Sequence, residues 1–229
     1  MTKKKESGFT LLELLIVIAI LAVLSVALVL VLNPTETLKK ARDGQRISDL
    51  STLKTAIGLY LTSVSPAYLG GASDNNFCKA TPGAAWSVGP KKISYSNTAS
   101  TISNGTTIDA SAGAVFRQLS TNATASATDG TGWVPVKFDN IAGGSPISNI
   151  PLDPINTIGT ASAVASTDLT YRYGCSITPL AYEIDAQLES TAYTSTDDKR
   201  LSDGGNSTAY YETGTNLGIL GMGSNNTDY

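Results

Sequence analysis

The chain of 229 residues contains no histidine, which excludes Ser–His and Cys–His catalysis and histidine-based zinc or haem sites. Its two cysteines are too few for a zinc finger or a cysteine-rich scaffold. Charged residues make up only 15% of the chain, against about 25% in a typical soluble domain. The formal net charge is −3, so the basic excess typical of nucleic-acid-binding proteins is missing. The sequence also lacks a P-loop, a dinucleotide-binding fingerprint and a G-x-S-x-G motif, which argues against an enzyme.

What the sequence does have is one long apolar run near its N-terminal end. Residues 9–32 contain only three polar side chains, those of Thr10, Glu13 and Ser25. As an α-helix, this run reaches roughly 36 Å, enough to cross about 30 Å of hydrocarbon with some tilt. A cleavable secretory signal has a shorter apolar region followed by a small-residue cleavage site. The run therefore predicts a single transmembrane helix over residues 9–32.

The orientation of this segment does not follow from charge alone. Lysines and arginines lie on both sides of the apolar run, so the positive-inside rule favours neither end. The remainder of the chain is rich in Ser, Thr, Asn and Gly, poor in charge, and carries a pair of cysteines. These features favour a C-terminal part that lies outside the cytoplasm.

Glu13 is the one acidic residue inside the apolar run. An acid within an apolar helix is costly to insert in a membrane, and such residues usually have a function. Since Glu13 lies near the start of the helix, it either reaches the membrane interface, is protonated, or has a positive partner. No Lys or Arg occurs between Phe9 and Leu32, so such a partner is a chain terminus or another molecule.

Residues 3–8 read KKKESG and are followed by FTLLE at residues 9–13. This stretch resembles the processing signal of type IV pilins and type II secretion pseudopilins. In that family, a short basic leader ends in Gly and is followed, with the same spacing, by Phe-Thr-Leu-x-Glu, which opens a long apolar helix. The close resemblance covers residues 3–32 and continues more loosely to about residue 64.

The resemblance implies a role for individual residues. A prepilin peptidase would cut between Gly8 and Phe9 on the cytoplasmic side, so that residues 1–8 form the leader peptide. Phe9 would become the new N-terminus and would be N-methylated, which keeps the charge of its amine. Glu13 would pair with the Phe9 ammonium of a neighbouring subunit during assembly.

The resemblance further implies a structural subunit of a type IV pilus-like filament, without enzymatic activity. The chain would be a single-pass protein of the inner membrane before assembly and part of an extracellular surface filament afterwards. Its expected partners are identical subunits, a prepilin peptidase/methyltransferase, an inner-membrane assembly platform and an assembly ATPase, with no nucleic acid. Two alternatives within the family are a major pseudopilin of a type II secretion system and an adhesive or DNA-uptake minor pilin.

Residues 33–64 carry a helical pattern beyond the apolar run. Asn33 and Pro34 either start a new helix, as N-cap and first helical residue, or mark a proline kink within one long helix. The apolar residues recur at spacings of three or four and predict a buried stripe, formed by Ile47, Leu50, Leu53, Ile57, Leu61 and Val64. The charged residues are expected mainly off this stripe, namely Asp43, Arg46, Asp49 and Lys54. The pattern thus predicts one interrupted helix over residues 9–64.

Residues 65–229 are predicted to form a small β-rich head. Residues 169–175 and 182–188 alternate with period two and predict an antiparallel hairpin that covers the helix stripe. A short strand is predicted at 92–96 and an edge strand at 133–138, with a helical turn around 114–119. The resulting class is α+β, a long N-terminal helix packed on a small antiparallel sheet as in pilins. The turn at residues 150–154 (IPLDP) followed by paired strands is similar to the C-terminal part of major pseudopilins.

Two further sets of residues are candidates for stabilising the head. Cys78 and Cys175 are either two buried free cysteines or a disulfide, and an extracytoplasmic setting favours the disulfide. The segment 197–212 combines oxygen-bearing side chains with glycines, which is typical either of a solvated turn or of a Ca²⁺ site. Asp198 and Asp203 are the candidate ligands. The spacing does not fit an EF-hand, so no cofactor is expected and Ca²⁺ is the alternative.

Overall fold

The computed structural model of the chain describes residues 8–84, 92–97, 115–117, 122–157 and 167–220. The chain divides into two compact units, Met1–Lys39 and Lys40–Tyr229. The helices are α1 (Leu11–Leu32), α2 (Pro34–Ser63) and the short α3 (Asn122–Ala125). The strands are β1 (Lys92–Tyr95), β2 (Val115–Arg117), β3 (Tyr171–Ser176), β4 (Ala181–Gln187) and β5 (Tyr210–Gly214). A helix combined with a mainly antiparallel sheet is the predicted α+β class.

Asn33 separates α1 from α2. It has φ 38° and ψ 72°, a left-handed conformation that Asn tolerates better than most residues. Its carbonyl accepts hydrogen bonds from the backbone amides of Glu36 at 3.1 Å and Thr37 at 3.2 Å. Its side-chain Oδ1 also lies 3.4 Å from the amide nitrogen of Glu36. Pro34 has no amide hydrogen to lose at the first helical position. Of the two alternatives, the structure shows a new helix start.

The buried face of α2 packs on the sheet. Leu50, Leu53 and Ile57 are fully buried, which confirms the centre of the predicted apolar stripe. The predicted positions Ile47, Leu61 and Val64 are only partly buried. The same face continues towards the start of the helix through Asp43 and Arg46, both 0% exposed. The prediction that these two charged residues lie off the stripe is therefore wrong, because both are paired inside the head.

The sheet has the strand order β2-β1-β3-β4-β5. The pairs β1–β3, β3–β4 and β4–β5 are antiparallel, whereas β2 joins the edge parallel to β1. β3 and β4 form the predicted hairpin, in register from Tyr171 opposite Ala186 to Ser176 opposite Ala181. Tyr182 Oη donates to the carbonyl of Lys54 at 3.2 Å, so this face of the hairpin covers α2.

Two predicted elements differ in the structure. Residues 133–138 do not form an edge strand, because Pro135 cannot donate to a ladder and the segment crosses the core, with Trp133, Val134, Val136 and Phe138 all fully buried. Residues 115–117 form strand β2, whereas a helical turn was expected around 114–119. The sequence Val-Phe-Arg has a β-branched and an aromatic residue, both favourable in strands. The remaining residues of 114–119 lie outside the described part of the chain. The short strand predicted at 92–96 is confirmed as β1.

A disulfide joins Cys78 to Cys175, 97 positions apart. Cys78 lies in the loop after α2, and Cys175 lies on β3. Next to the bridge, the amide of Lys79 donates to the carbonyl of Cys175 at 2.8 Å, which extends the pairing of the loop along β3. The predicted disulfide is confirmed, and it ties the loop to the hairpin. The chain-entropy estimate for closing a loop of this length is about 4–5 kcal/mol, by restricting the unfolded chain, and is an upper figure.

Candidate functional site

The residues at the predicted cleavage bond precede the first helix. Gly8, Phe9 and Thr10 are not helical, and α1 begins at Leu11. The Phe9 side chain is 85% exposed, and a Cβ placed on Gly8 would meet no other atom within 4 Å. Exposed, non-helical backbone is the geometry that proteases cut most readily. The Gly8–Phe9 bond therefore lies where a peptidase can reach it.

Glu13 and Thr10 form a reciprocal cap at the start of α1. Glu13 Oε2 accepts hydrogen bonds from the backbone nitrogen and from Oγ1 of Thr10, both at 2.9 Å. Thr10 Oγ1 in turn accepts from the backbone nitrogen of Glu13 at 3.2 Å. This arrangement is a capping box, which satisfies two amides that the helix itself leaves unpaired. The spacing Thr-x-x-Glu is the sequence signal of this motif, although a capping box was not among the predictions for Glu13.

The capping box is compatible with processing at Gly8–Phe9. Cleavage there would create the new amine on Phe9, so the nitrogen of Thr10 would remain an amide and keep its bond to Glu13. Both contacts from Thr10 go to Oε2, and the carboxylate is exposed. The pairing of Glu13 with the Phe9 amine of a neighbouring subunit stays a prediction.

Helix α1 exposes apolar side chains on all sides. The large apolar side chains described from Leu11 to Leu28 are 47–81% exposed. Apart from Glu13, the polar side chain in this stretch is that of Ser25, whose hydroxyl donates to the carbonyl of Leu21 at 2.7 Å. None of the helices, over the residues that the structure describes, has both the length and the apolarity to cross a membrane. The transmembrane helix predicted over 9–32 is thus not shown by the structure.

A cluster of buried ion pairs lies at the N-terminal end of the buried face of α2. Arg46 binds Asp153 through two bonds, from Nε to Oδ2 at 2.7 Å and from Nη2 to Oδ1 at 3.1 Å. Its Nη1 donates to Asp43 at 2.7 Å and to Glu189 at 2.8 Å. Arg42, at the rim, binds Glu189 at 2.6 and 2.7 Å. The side chains of Arg46, Asp43 and Asp153 are fully buried. We call these five residues the Arg46 cluster.

The Arg46 cluster fastens α2 to two loops of the head. Asp43 accepts the backbone amide of Ser190 at 2.8 Å, just after β4, and Asp153 accepts that of Ile155 at 2.8 Å. Burial alone would lower the pKa of Arg46, but its bonds to Asp153 and the other acids outweigh burial and raise it. The hydrogen bond from Arg42 lowers the pKa of Glu189. Arg46 and Glu189 therefore stay charged at neutral pH.

The candidate calcium ligands, Asp198 and Asp203, accept hydrogen bonds from other groups of the protein. Asp198 accepts hydrogen bonds from Nε of Arg200 at 3.0 Å and from Nη2 at 2.8 Å, and the pKa of Asp198 is lowered by this contact. Asp203 accepts the amides of Gly205 at 2.8 Å and Glu212 at 2.7 Å. In the part of the chain that the structure describes, no three Asp, Glu or Cys side chains are placed to hold a metal ion. Calcium binding by Asp198 and Asp203 stays a prediction.

Comparison with known proteins supports the N-terminal signal. Residues 3–29 match the prokaryotic N-terminal methylation motif, which is the signal of type IV pilin and pseudopilin precursors. No curated protein and no solved structure matches the chain. The matched residues include the Gly8–Phe9 bond and Glu13 and end within α1, so the predicted signal is confirmed and the head lies outside the match.

Proposed function

We propose that this chain is the structural subunit of a type IV pilus-like filament, cleaved by a prepilin peptidase between Gly8 and Phe9 and polymerised through α1. The observation that carries the proposal is the methylation motif at residues 3–29, whose cleavage bond lies in exposed backbone directly before an apolar helix. The motif implies processing by prepilin peptidase and assembly into a pilus or pseudopilus. It also implies a membrane-anchored precursor.

In this proposal, cleavage supplies the positive partner that Glu13 lacks in the sequence. The cut creates the Phe9 amine two residues before α1, and methylation of this amine keeps its charge. Thr10 holds Oε2 of Glu13, and we assign Oε1 to the Phe9 ammonium of an adjacent subunit. A charge-assisted bond of this kind, away from water, sets the register between two helices more strictly than apolar contact.

The apolar side chains of α1 supply the adhesive surface of the filament. An exposed apolar surface that covers all sides of a helix requires apolar surroundings, either lipid or protein. Before assembly the apolar run of 9–32 is proposed to lie in the inner membrane. In the filament the helices of neighbouring copies replace the lipid, since side chains on every side of α1 are available for contact. The head, braced by its disulfide and the Arg46 cluster, is proposed to face the solvent.

A major pseudopilin of a type II secretion system is the second candidate. The turn that contains Asp153, followed by the β3–β4 hairpin, is the feature similar to the C-terminal part of major pseudopilins. In the structure this turn is fixed on α2 by Arg46. Both candidates share the processing step and the assembly through α1. They differ in whether the filament extends from the cell surface or stays within the cell envelope.

Negative-stain microscopy of cells with an antibody against the head separates the two candidates. We expect long labelled filaments in material sheared from the cell surface, and no labelled filaments from cells that lack the prepilin peptidase. Chain confined to the cell envelope, together with a loss of protein secretion when the chain is deleted, would favour the pseudopilin. An unchanged amount of labelled filament in the peptidase-deficient cells would contradict both.

A further inference from the structure

The outer face of the sheet, which points away from α2, is lined with buried charged groups. Across β3, β4 and β5, Arg172 lies opposite Asp185, and Asp185 lies opposite Glu212. Glu183 precedes Asp185 by two residues and shares its side of β4. All four side chains are at most 2% exposed. Three acids and one arginine thus share a surface from which water is excluded.

The arginine of this surface is engaged by one of the three acids. Arg172 Nε donates to Oδ1 of Asp185 at 2.8 Å, and Nη2 also contacts Asp185. The guanidinium carbon lies 3.7 Å from the ring centroid of Tyr210, a cation–π contact. Arg172 and Asp185 therefore form an ion pair, and Glu183 and Glu212 are not part of it.

Glu183 and Glu212 each accept backbone hydrogen bonds through one carboxyl oxygen. Oε2 of Glu183 accepts the backbone amides of Ile219 at 2.7 Å and Leu220 at 2.8 Å. Oε2 of Glu212 accepts the amide of Ser207 at 2.8 Å. The second oxygen of each, Oε1, is buried and has no hydrogen-bond partner among the described residues. Glu183 lies opposite Gly214, so it is the diagonal neighbour of Glu212 on the same face, within reach of a long side chain.

Two neighbouring carboxylates in this position are unfavourable unless one is neutral. Each unpaired buried oxygen and each buried charge raises the free energy of the folded state. One proton placed between the two Oε1 atoms neutralises one charge and gives both oxygens a partner in a strong O–H···O⁻ bond. Consistently, burial and the contact with Glu212 raise the pKa of Glu183 well above its usual value. Burial likewise raises the pKa of Glu212.

Two segments, residues 205–207 and 217–220, cover this pair of acids, and we call them the cover segments. Leu220 packs against Gly174 of β3, where a Cβ would lie 2.8 Å from Cδ2 of Leu220. The ammonium of Lys79 donates to the carbonyl of Ile219 at 2.6 Å. Over Glu212, a Cβ on Gly205 would lie 1.8 Å from Oε2. Both segments are in direct contact with the two acids, so the movement of either segment would admit water to them.

We propose that Glu183 and Glu212 share one proton, and that this proton keeps the cover segments closed, so that the outer face of the sheet is a pH-sensitive switch which opens when the proton is lost. Two adjacent carboxylates would then repel each other and require water. The least costly way to admit water is to lift a cover segment, since these are loops and the strands are held by ladder bonds. The proposal does not depend on filament assembly.

The direction of the pH effect follows from the raised pKa of Glu183. An unfolded glutamate has a pKa of about 4.3, so between that pH and the folded pKa the native chain holds a proton that the unfolded chain has released. The stabilisation is therefore complete at acid pH and is lost as the pH rises through the folded pKa. Other ionisable groups near the pair act in known directions, because Asp185 raises the pKa of Glu183 and of Glu212, and Asp203 raises that of Glu212. Among the residues that the structure describes, Arg172, Lys79 and Tyr210 also lie near the pair.

Hydrogen exchange of the full chain in detergent micelles tests the switch. Exchange is measured from about pH 5 to about pH 9 and corrected for its intrinsic pH dependence. Protection of the cover segments should fall by up to about tenfold for each pH unit above the pKa of an exposed glutamate, and should level off once the pH has passed the folded pKa of Glu183. Glu183→Gln should stay within about twofold over the same range, because its amide donates to Glu212 as the shared proton does and its oxygen accepts the two backbone amides. Asp139→Asn, which removes an exposed carboxylate, should behave like the natural chain.

Four results would overturn the proposal. The first is constant protection of the cover segments in the natural chain across this pH range, and the second is an equal fall in Glu183→Gln. The third is recovery of protection at alkaline pH on adding Ca²⁺, which would make the pair a cation site. If Glu183→Gln fails to fold, Glu212→Gln replaces it, and infrared spectra of the natural chain give an independent test. The spectra should show a protonated-carboxyl band at acid pH that disappears over the same pH interval in which the cover segments open. Spectra without such a band at acid pH would refute the shared proton.

Discussion

Replacing Glu13 by alanine is expected to leave cleavage at Gly8–Phe9 intact while nearly abolishing filaments. In the proposed filament the Phe9 ammonium of an adjacent subunit would lose its counter-charge in apolar surroundings. Truncating one member of a buried charge pair weakens an interface by about 30-fold or more. The fraction of the chain recovered in sheared filaments, relative to processed chain in the envelope, should fall by at least that factor.

Two control variants separate pairing between subunits from capping within one subunit. Glu13→Gln keeps an oxygen that can accept both bonds from Thr10 but carries no charge, so the account predicts that it assembles almost as poorly as Glu13→Ala. Glu36→Ala removes an acid from the first turn of α2, and filament yield should stay close to that of the natural chain. Normal assembly of Glu13→Gln would show that the cap at Thr10, and not a charge pair, is what Glu13 provides.

Replacing Arg46 by methionine is expected to lower the free energy of unfolding of the head by about 3–5 kcal/mol, because it removes one partner from a buried ionic network. Asp43 and Asp153 would stay buried without the guanidinium that binds them. Urea unfolding followed by tryptophan fluorescence measures the loss. Trp133 reports on this region, since it is fully buried and its Nε1 donates to the carbonyl of Pro151 at 2.9 Å.

Arg42→Met is the matched control for this prediction. It is the same substitution one turn earlier on α2, at an arginine that binds Glu189 at the rim and is 28% exposed. Its effect should be much smaller than that of Arg46→Met, because water can solvate Glu189 once Arg42 is gone. Equal midpoints for the two variants would mean that the buried cluster is not what holds α2 to the head.

The elements that the sequence specifies locally were predictable. The interruption at Asn33 and Pro34 follows from conformational preferences that act within one turn, whereas the choice between a kink and a new helix start came from the structure. The β3–β4 hairpin follows from period-two alternation in two neighbouring segments, and its apolar side chains pack on Leu50, Leu53 and Ile57 as expected. The methylation motif was equally recognisable, because its residues are adjacent in the sequence.

Features that depend on distant partners were not predictable from local patterns. The local pattern predicts that Arg46 is solvated, because its partner Asp153 lies 107 positions away in the sequence. The one available signal was spacing, since Asp43 and Arg46 continue the three-and-four repeat of Leu50 and Leu53. Strand β2 pairs with β1 in parallel, and nothing in a three-residue segment indicates that partner. The proximity of Glu183 to Glu212 likewise arises because β4 and β5 are adjacent.

Mass spectrometry of the N-terminal peptide from chains in sheared filaments tests the central claim most directly. The account predicts that these chains lack residues 1–8 and begin at a singly methylated Phe9. Filaments built from chains that still begin at Met1 would contradict it, because the amine assigned to Glu13 would then not exist.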